Sequence, residues 1–135
     1  MTDSRLGEPT WLSRSLVGMI HADQIQEHGG ALGVRDEGLI ESALERPRNR
    51  FAYGQSDVDL ADLAAAYASG LVSNHGFVDG NKRVAFMAAY VFLGLNGYEL
   101  DAPEPELVVF MLGLAAGEVP EAEFAQWVRE HWNPS

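Results

Sequence analysis

Apolar side chains recur along this chain at intervals of three and four residues, broken by short stretches rich in glycine, proline and aspartate. That spacing predicts helices, because residues three and four apart share one helical face. Ser13 fits the N-cap of a first helix running to about His28, with Leu16, Ile20 and Ile25 near one face and Gly29-Gly30 as its stop. After a short connection over residues 31–35, Asp36 caps a second helix carrying Leu39, Ile40, Ala43 and Leu44, and Pro47 ends it. RPRNRFAYGQ then reads as a loop bearing Arg46, Arg48 and Arg50. Asp57 or Asp59 caps a third helix to about Asn74, with Leu60, Leu63, Ala64, Tyr67, Leu71 and Val72 as its apolar face. A fourth helix runs from about Asn81 to Leu95 and stops at Asn96-Gly97. It is apolar nearly all round, which predicts the buried central helix. Residues 106–116 form a fifth, stopped near Gly117, and Pro120 fits the first turn of a last one carrying Phe124, Trp127, Val128 and Trp132. Gly97 to Leu100 is at most a short strand. The pattern predicts an all-α fold of about six helices: a loose segment over residues 1–11, then one domain over residues 12–135.

Composition narrows the classes. The chain has 135 residues, 47% hydrophobic and 21% charged, enough to bury a core without a covalent staple. It has no cysteine, which excludes disulfides, thiolate zinc sites and a cysteine nucleophile. The first twenty residues lack a basic start followed by an apolar run. The longest apolar run, Val84 to Leu95, is too short to span a bilayer, so the cytoplasm is the expected compartment. The net charge of −11 argues against direct binding of nucleic acid. Eight of the nine basic residues are arginine; Lys82, in a glycine-rich turn, is the only lysine.

That turn holds the candidate chemistry, NHGFVDGNKR from Asn74 to Arg83. His75 is a candidate general base. Asp79 is a hard oxygen ligand suited to Mg²⁺ shared with phosphates. Gly80 frees the backbone to turn. Asn81, Lys82 and Arg83 then open a helix whose N-terminal amides and two cations form an anion site. Phe77 is expected to turn inward and pin the loop. Base, metal ligand, glycine turn and cationic helix start together describe phosphoryl or nucleotidyl transfer.

HGFVDGNKR resembles the active-site loop of the Fic/Doc family, His-x-Phe-x-Asp/Glu-Gly-Asn-Gly/Lys-Arg, and its lysine resembles the Doc, or death-on-curing, branch. GGALGVRDEGLIESALERPRNRFAYG and AFMAAYVFLGLNGYEL are similar to the flanking segments of that branch, so the likeness covers roughly residues 12 to 132. The resemblance implies a small α-helical Fic fold. It implies that His75 deprotonates a Ser or Thr hydroxyl on a target protein and that Asp79 holds Mg²⁺. Gly80, Asn81, Lys82 and Arg83 are implied to cradle ATP phosphates, with Phe77 structural. Ordinary Fic enzymes carry glycine where Lys82 stands and attach AMP; the lysine of the Doc branch is held to reverse the nucleotide, so the γ-phosphate is transferred.

A toxin of a toxin–antitoxin pair is therefore implied, a protein kinase acting on a translation factor, elongation factor Tu in the family, with an antitoxin chain that folds on binding as its partner. The alternatives are an AMP-transferase and a non-catalytic Fic-fold binding module. Gly76 stands where many Fic proteins have proline, and Phe86 where many AMP-transferring members have a second arginine. No Ser/Thr-x-x-x-Glu-Gly/Asn inhibitory motif is present; Ser4 to Pro9 comes nearest. Arg46, Arg48 and Arg50 are candidate contacts to nucleotide phosphate, an acidic target or an acidic antitoxin, or a solvated basic loop. Glu41 and Glu45 are placed to pair with nearby arginines. His21, His28 and His131 read as surface residues, and Trp127 and Trp132 as core packing.

Overall fold

The computed structural model describes residues 7–54 and 57–135. Six helices and a two-stranded ribbon follow in the order α1 (Arg14–His28), α2 (Glu37–Tyr53), α3 (Leu60–Asn74), α4 (Asn81–Leu95), β1 (Tyr98–Leu100), α5 (Glu104–Ala116), α6 (Glu121–His131) and β2 (Trp132–Pro134). The all-α expectation holds. The first three helices start on side-chain caps: Ser13 accepts from the Leu16 amide, Asp36 from Leu39, and Asp59 forms a reciprocal capping box with Asp62.

α2 departs from the expectation. It does not end at Pro47 but continues to Tyr53, so Arg46, Arg48 and Arg50 lie on a helix rather than a loop. Proline forfeits one backbone hydrogen bond. Packing offsets that loss here, because the Pro47 ring is buried and the turns beyond it are anchored. Phe51 meets Trp11 edge-on at 5.7 Å, and the Arg48 guanidinium lies 5.4 Å from the Trp11 ring.

The most enclosed helix is α3, not α4. Eleven of its fifteen residues are buried, against six of fifteen in α4, which leaves Tyr90 and Leu95 exposed. The reason is side-chain size. Ala61, Ala64, Ala65, Ala66, Ala68 and Gly70 let neighbouring helices approach from every side. At the tightest point, a Cβ on Gly70 would sit 3.3 Å from the Ala43 Cα of α2.

The segment before α1 is held from Thr10 onward. Thr10 and Asn96 exchange two hydrogen bonds, Trp11 stacks on Phe92, and the buried Leu12 amide donates to the Tyr67 hydroxyl at 3.0 Å. The expected looseness is therefore absent from residues 10 and 11; residues 1–6, with the start of the Ser4–Pro9 segment, lie outside the described residues. α5 begins at Glu104, two residues early, with Pro105 in its first turn. α6 ends at His131, and Trp132 leaves it to form β2, antiparallel to β1, where its ring stacks on Tyr98 at 4.3 Å. Trp127 is the core tryptophan, 4% exposed. Among the described residues no helix is long and apolar enough to cross a membrane.

Candidate active site

The loop between α3 and α4 begins at His75, which caps α3 in the left-handed region, φ 50° and ψ 48°. A non-glycine residue pays about 1–2 kcal/mol for that conformation, so something must hold it. Arg35 does. Its Nε donates to the His75 carbonyl at 2.6 Å and its Nη2 to the Asn74 carbonyl at 3.0 Å, supplying a cation to the free carbonyls at the end of α3. Asn74 in turn donates to the Leu39 carbonyl, and the Gly76 carbonyl accepts from the amides of Arg35 and Asp36. The loop is thus bolted to the start of α2. Gly76 is required there, because a Cβ would collide with the Ile40 side chain. The sequence reading missed Arg35 as part of an unremarked connection.

Phe77 is buried, 2% exposed, as expected. Its main chain bridges to Val34, and the Val78 amide donates to the Gly33 carbonyl. Both polar ends of the Asn81 side chain are committed to it: Oδ1 accepts from the Phe77 amide and Nδ2 donates to the Phe77 carbonyl. The Asn81 side chain is therefore a loop brace, with one Nδ2 hydrogen and the backbone amide left to face an anion.

Behind the loop stands His21. It is buried rather than on the surface, its ring stacked on Phe77 at 4.0 Å and its Nε2 3.0 Å from the Asp79 carbonyl. The signal was present in its spacing, since Val17, Ile20, His21, Gln24 and Ile25 form one inward face of α1. His131 is also drawn in, with Nδ1 2.8 Å from the Trp127 carbonyl. His28 alone of the three keeps an open setting.

Asp79 is gripped by main chain. Ala31 donates to Oδ2 and Gly80 to Oδ1. These two amides, with Arg83 and His21 nearby, hold its carboxyl below the usual carboxylate range, so it is ionised at neutral pH. Gly30 makes the approach possible: its φ is 115°, and a Cβ would lie 2.6 Å from Oδ2.

Gly80, at φ 78°, starts α4 without a side-chain cap, so the first-turn amides face the cleft uncapped. Lys82 is exposed on that turn. Arg83 donates to the Gly29 carbonyl through Nη2, while its buried Nε has no acceptor. Two cations at the positive end of a helix, with an orphaned N–H among them, make a donor set that suits an anion. His75, Asp79, Gly80, Asn81, Lys82 and Arg83 line one cleft of about 380 Å³ with Val78.

No cluster of three acidic, histidine or cysteine side chains occurs among the described residues. A metal at Asp79 must share its shell with ligand oxygens, which suits Mg²⁺ bound with phosphates.

Arg46, Arg48 and Arg50 do not join this cleft. Arg46 pairs with Glu121 of α6, Arg50 lies 3.9 Å from Asp62 of α3, and Arg48 covers Trp11. Their first duty is to tie α2 to its neighbours. Glu41 and Glu45 make no ion pair among the described residues; Glu37 takes Arg14 instead, at 2.6 Å.

Comparison with known proteins agrees with the loop. Residues 11–93 match the Fic/DOC family. The Toxin Doc of Mycolicibacterium smegmatis (strain ATCC 700084 / mc(2)155) is 46% identical over 74 residues, 55% of this chain and 57% of that protein. The Protein kinase doc of Escherichia phage P1 is 34% identical over 110 residues, 82% of this chain and 86% of that protein. A helical fold with the histidine-to-arginine loop between its third and fourth helices, and a family match over more than half its length, make this chain a member of the Fic/DOC family.

Proposed function

We propose that this chain is the toxin of a toxin–antitoxin pair and a Doc-type protein kinase, passing the γ-phosphate of Mg-ATP to a Ser or Thr hydroxyl of a translation factor, elongation factor Tu first among the candidates. The observation that carries this reading is Lys82, the only lysine, on the uncapped first turn of α4 in the cleft that His75 and Asp79 also line. Glycine there leaves room for a phosphate against the backbone; a lysine fills it, and a different phosphorus meets the base. The name of the phage relative supports kinase over AMP transfer, as does Phe86 in place of a second arginine.

In this reading His75 takes the proton of the target hydroxyl, whose oxygen bonds to the γ-phosphorus as the bond to the bridging oxygen breaks and ADP leaves. Arg83, Lys82 and the first-turn amides of α4 hold phosphate oxygens. Asp79 orients the Mg²⁺, which neutralises phosphate charge. The work is done in the cytoplasm, where translation runs.

An apolar groove of about 480 Å³ opens beside the phosphate cleft, walled by Phe86, Met87, Leu107, Val108 and Leu112 and sharing Lys82 and Arg83 with it. It suits an amphipathic antitoxin segment that folds as it binds.

The test is label transfer in a bacterial lysate with Mg²⁺ and ATP labelled at the γ- or the α-phosphate. The expected result is one band at the mass of elongation factor Tu, labelled from γ only and absent with His75→Ala. Label from α replaces kinase by AMP transfer, and Lys82→Gly should move the wild-type pattern that way. No His75-dependent band favours a binding module.

A further inference from the structure

We infer that His21 is a positioning residue, which sets the direction of the Asp79 carboxylate through the peptide group that follows it. His21 is 5% exposed on α1 and approaches the loop from behind. A titratable ring in an apolar stripe is costly to bury unless its polar atoms are used. Here Nε2 lies 3.0 Å from the Asp79 carbonyl oxygen. A carbonyl only accepts, so Nε2 carries the hydrogen and the acceptor fixes the tautomer.

That carbonyl and the Gly80 N–H are opposite ends of one planar peptide group. His21 holds the oxygen end. The N–H end donates to Asp79 Oδ1 at 2.9 Å. Rotating the plane breaks both bonds together. The Ala31 amide then fixes the other carboxylate oxygen, Oδ2, at 3.2 Å. The carboxylate is aimed by a chain of contacts whose origin is a side chain that never touches it. Stacking on Phe77, 4.0 Å between centroids and 11° between planes, keeps the imidazole in line.

His21→Phe separates the two roles of the ring, since it preserves the stack and deletes the donor. His21→Gln restores an N–H at similar reach. The first measurement is amide hydrogen exchange in the free protein. Ala31, whose amide bonds to Asp79 and not to His21, should exchange about tenfold faster in His21→Phe, with the amides of α3 unchanged and Ala31 protection regained in His21→Gln.

The second measurement, which rests on the kinase reading proposed above as the first does not, is ATP affinity by calorimetry with Mg²⁺ and with EDTA. His21→Phe should lose about tenfold or more of the gain that Mg²⁺ brings, keep its affinity in EDTA, and be rescued by His21→Gln. Wild-type protection of Ala31 in folded His21→Phe would overturn the assignment, as would an equal loss of affinity with and without Mg²⁺. If Mg²⁺ gives wild-type protein no gain, the metal reading fails and the exchange comparison still decides on His21. His21→Leu carries the same comparison should the phenylalanine variant not fold.

Discussion

Arg35 and His75 stand forty positions apart in the chain, yet the guanidinium of one holds the main chain of the other at 2.6 Å. The candidate base owes its left-handed backbone to a cation at the threshold of α2, which also closes the end of α3. Base placement in this fold is a matter of how two helices meet.

If the chain is the kinase proposed above, Arg35→Ala should slow transfer by about 10²-fold while leaving the affinity for ATP near wild type, because it frees the candidate base and does not touch the proposed phosphate cradle. Steady-state kinetics at saturating ATP give the answer. A folded variant working at full rate would show that His75 holds its place unaided.

Gly76→Ala forces a methyl group into Ile40 and is expected to cost about 1–3 kcal/mol in urea unfolding. Combined with Ile40→Ala, it should cost less than the sum of the two single changes, because the shorter side chain makes room. Strict additivity would mean that the two residues do not meet.

Tyr67→Phe removes the acceptor of the buried Leu12 amide and should cost about 1–3 kcal/mol. The loss belongs to the N-terminal segment, so hydrogen exchange at Leu12 should rise before that of α4. Unchanged stability would place water, not Tyr67, at that amide.

Arg129 binds Asp59 and Asp62 together at the start of α3, at 2.7 and 2.6 Å. Burial pushes the Asp59 carboxyl up, but its bonds to Arg129 and to the Asp62 amide prevail, and its folded pKa lies below the ordinary range. Its contribution to stability is complete above the unfolded value of about 3.9 and disappears as the pH falls through the folded one. In Arg129→Leu the burial cost is less opposed, the folded pKa rises, and stability declines from a higher pH. Acid unfolding followed by circular dichroism should therefore show an upward-shifted midpoint. An unmoved midpoint would separate Asp59 from Arg129.

Local chemistry was legible wherever a few consecutive residues decide it. Ser13, Asp36 and Asp59 announce their helices, Gly29 and Asn96-Gly97 end theirs, and the loop from His75 to Arg83 names its own cleft. What escaped depends on distant partners. Pro47 stops a helix only where nothing rewards continuing, and Trp11 and the carboxylates of α3 and α6 reward it here. Asn81 reads as a phosphate donor alone, and its second task, bracing the main chain of Phe77, shows only in the fold. Arg35 and His21 have no motif at all; each is recognised by a carbonyl forty or more residues away.

The alanine-lined surface of α3 sets where this protein tolerates change. A helix in contact with four others, α2, α4, α5 and α6, largely through methyl groups has no room to accept a larger residue, and a smaller one exists only as glycine, which weakens the helix. Variation should therefore collect on the outer faces of α5 and α2, where Val109 and Tyr53 already stand in solvent, while α3 stays nearly fixed. A saturation library sorted for folded protein would show that bias as a silent band over residues 61–72, set by geometry even though none of those residues lines the cleft of His75 and Asp79.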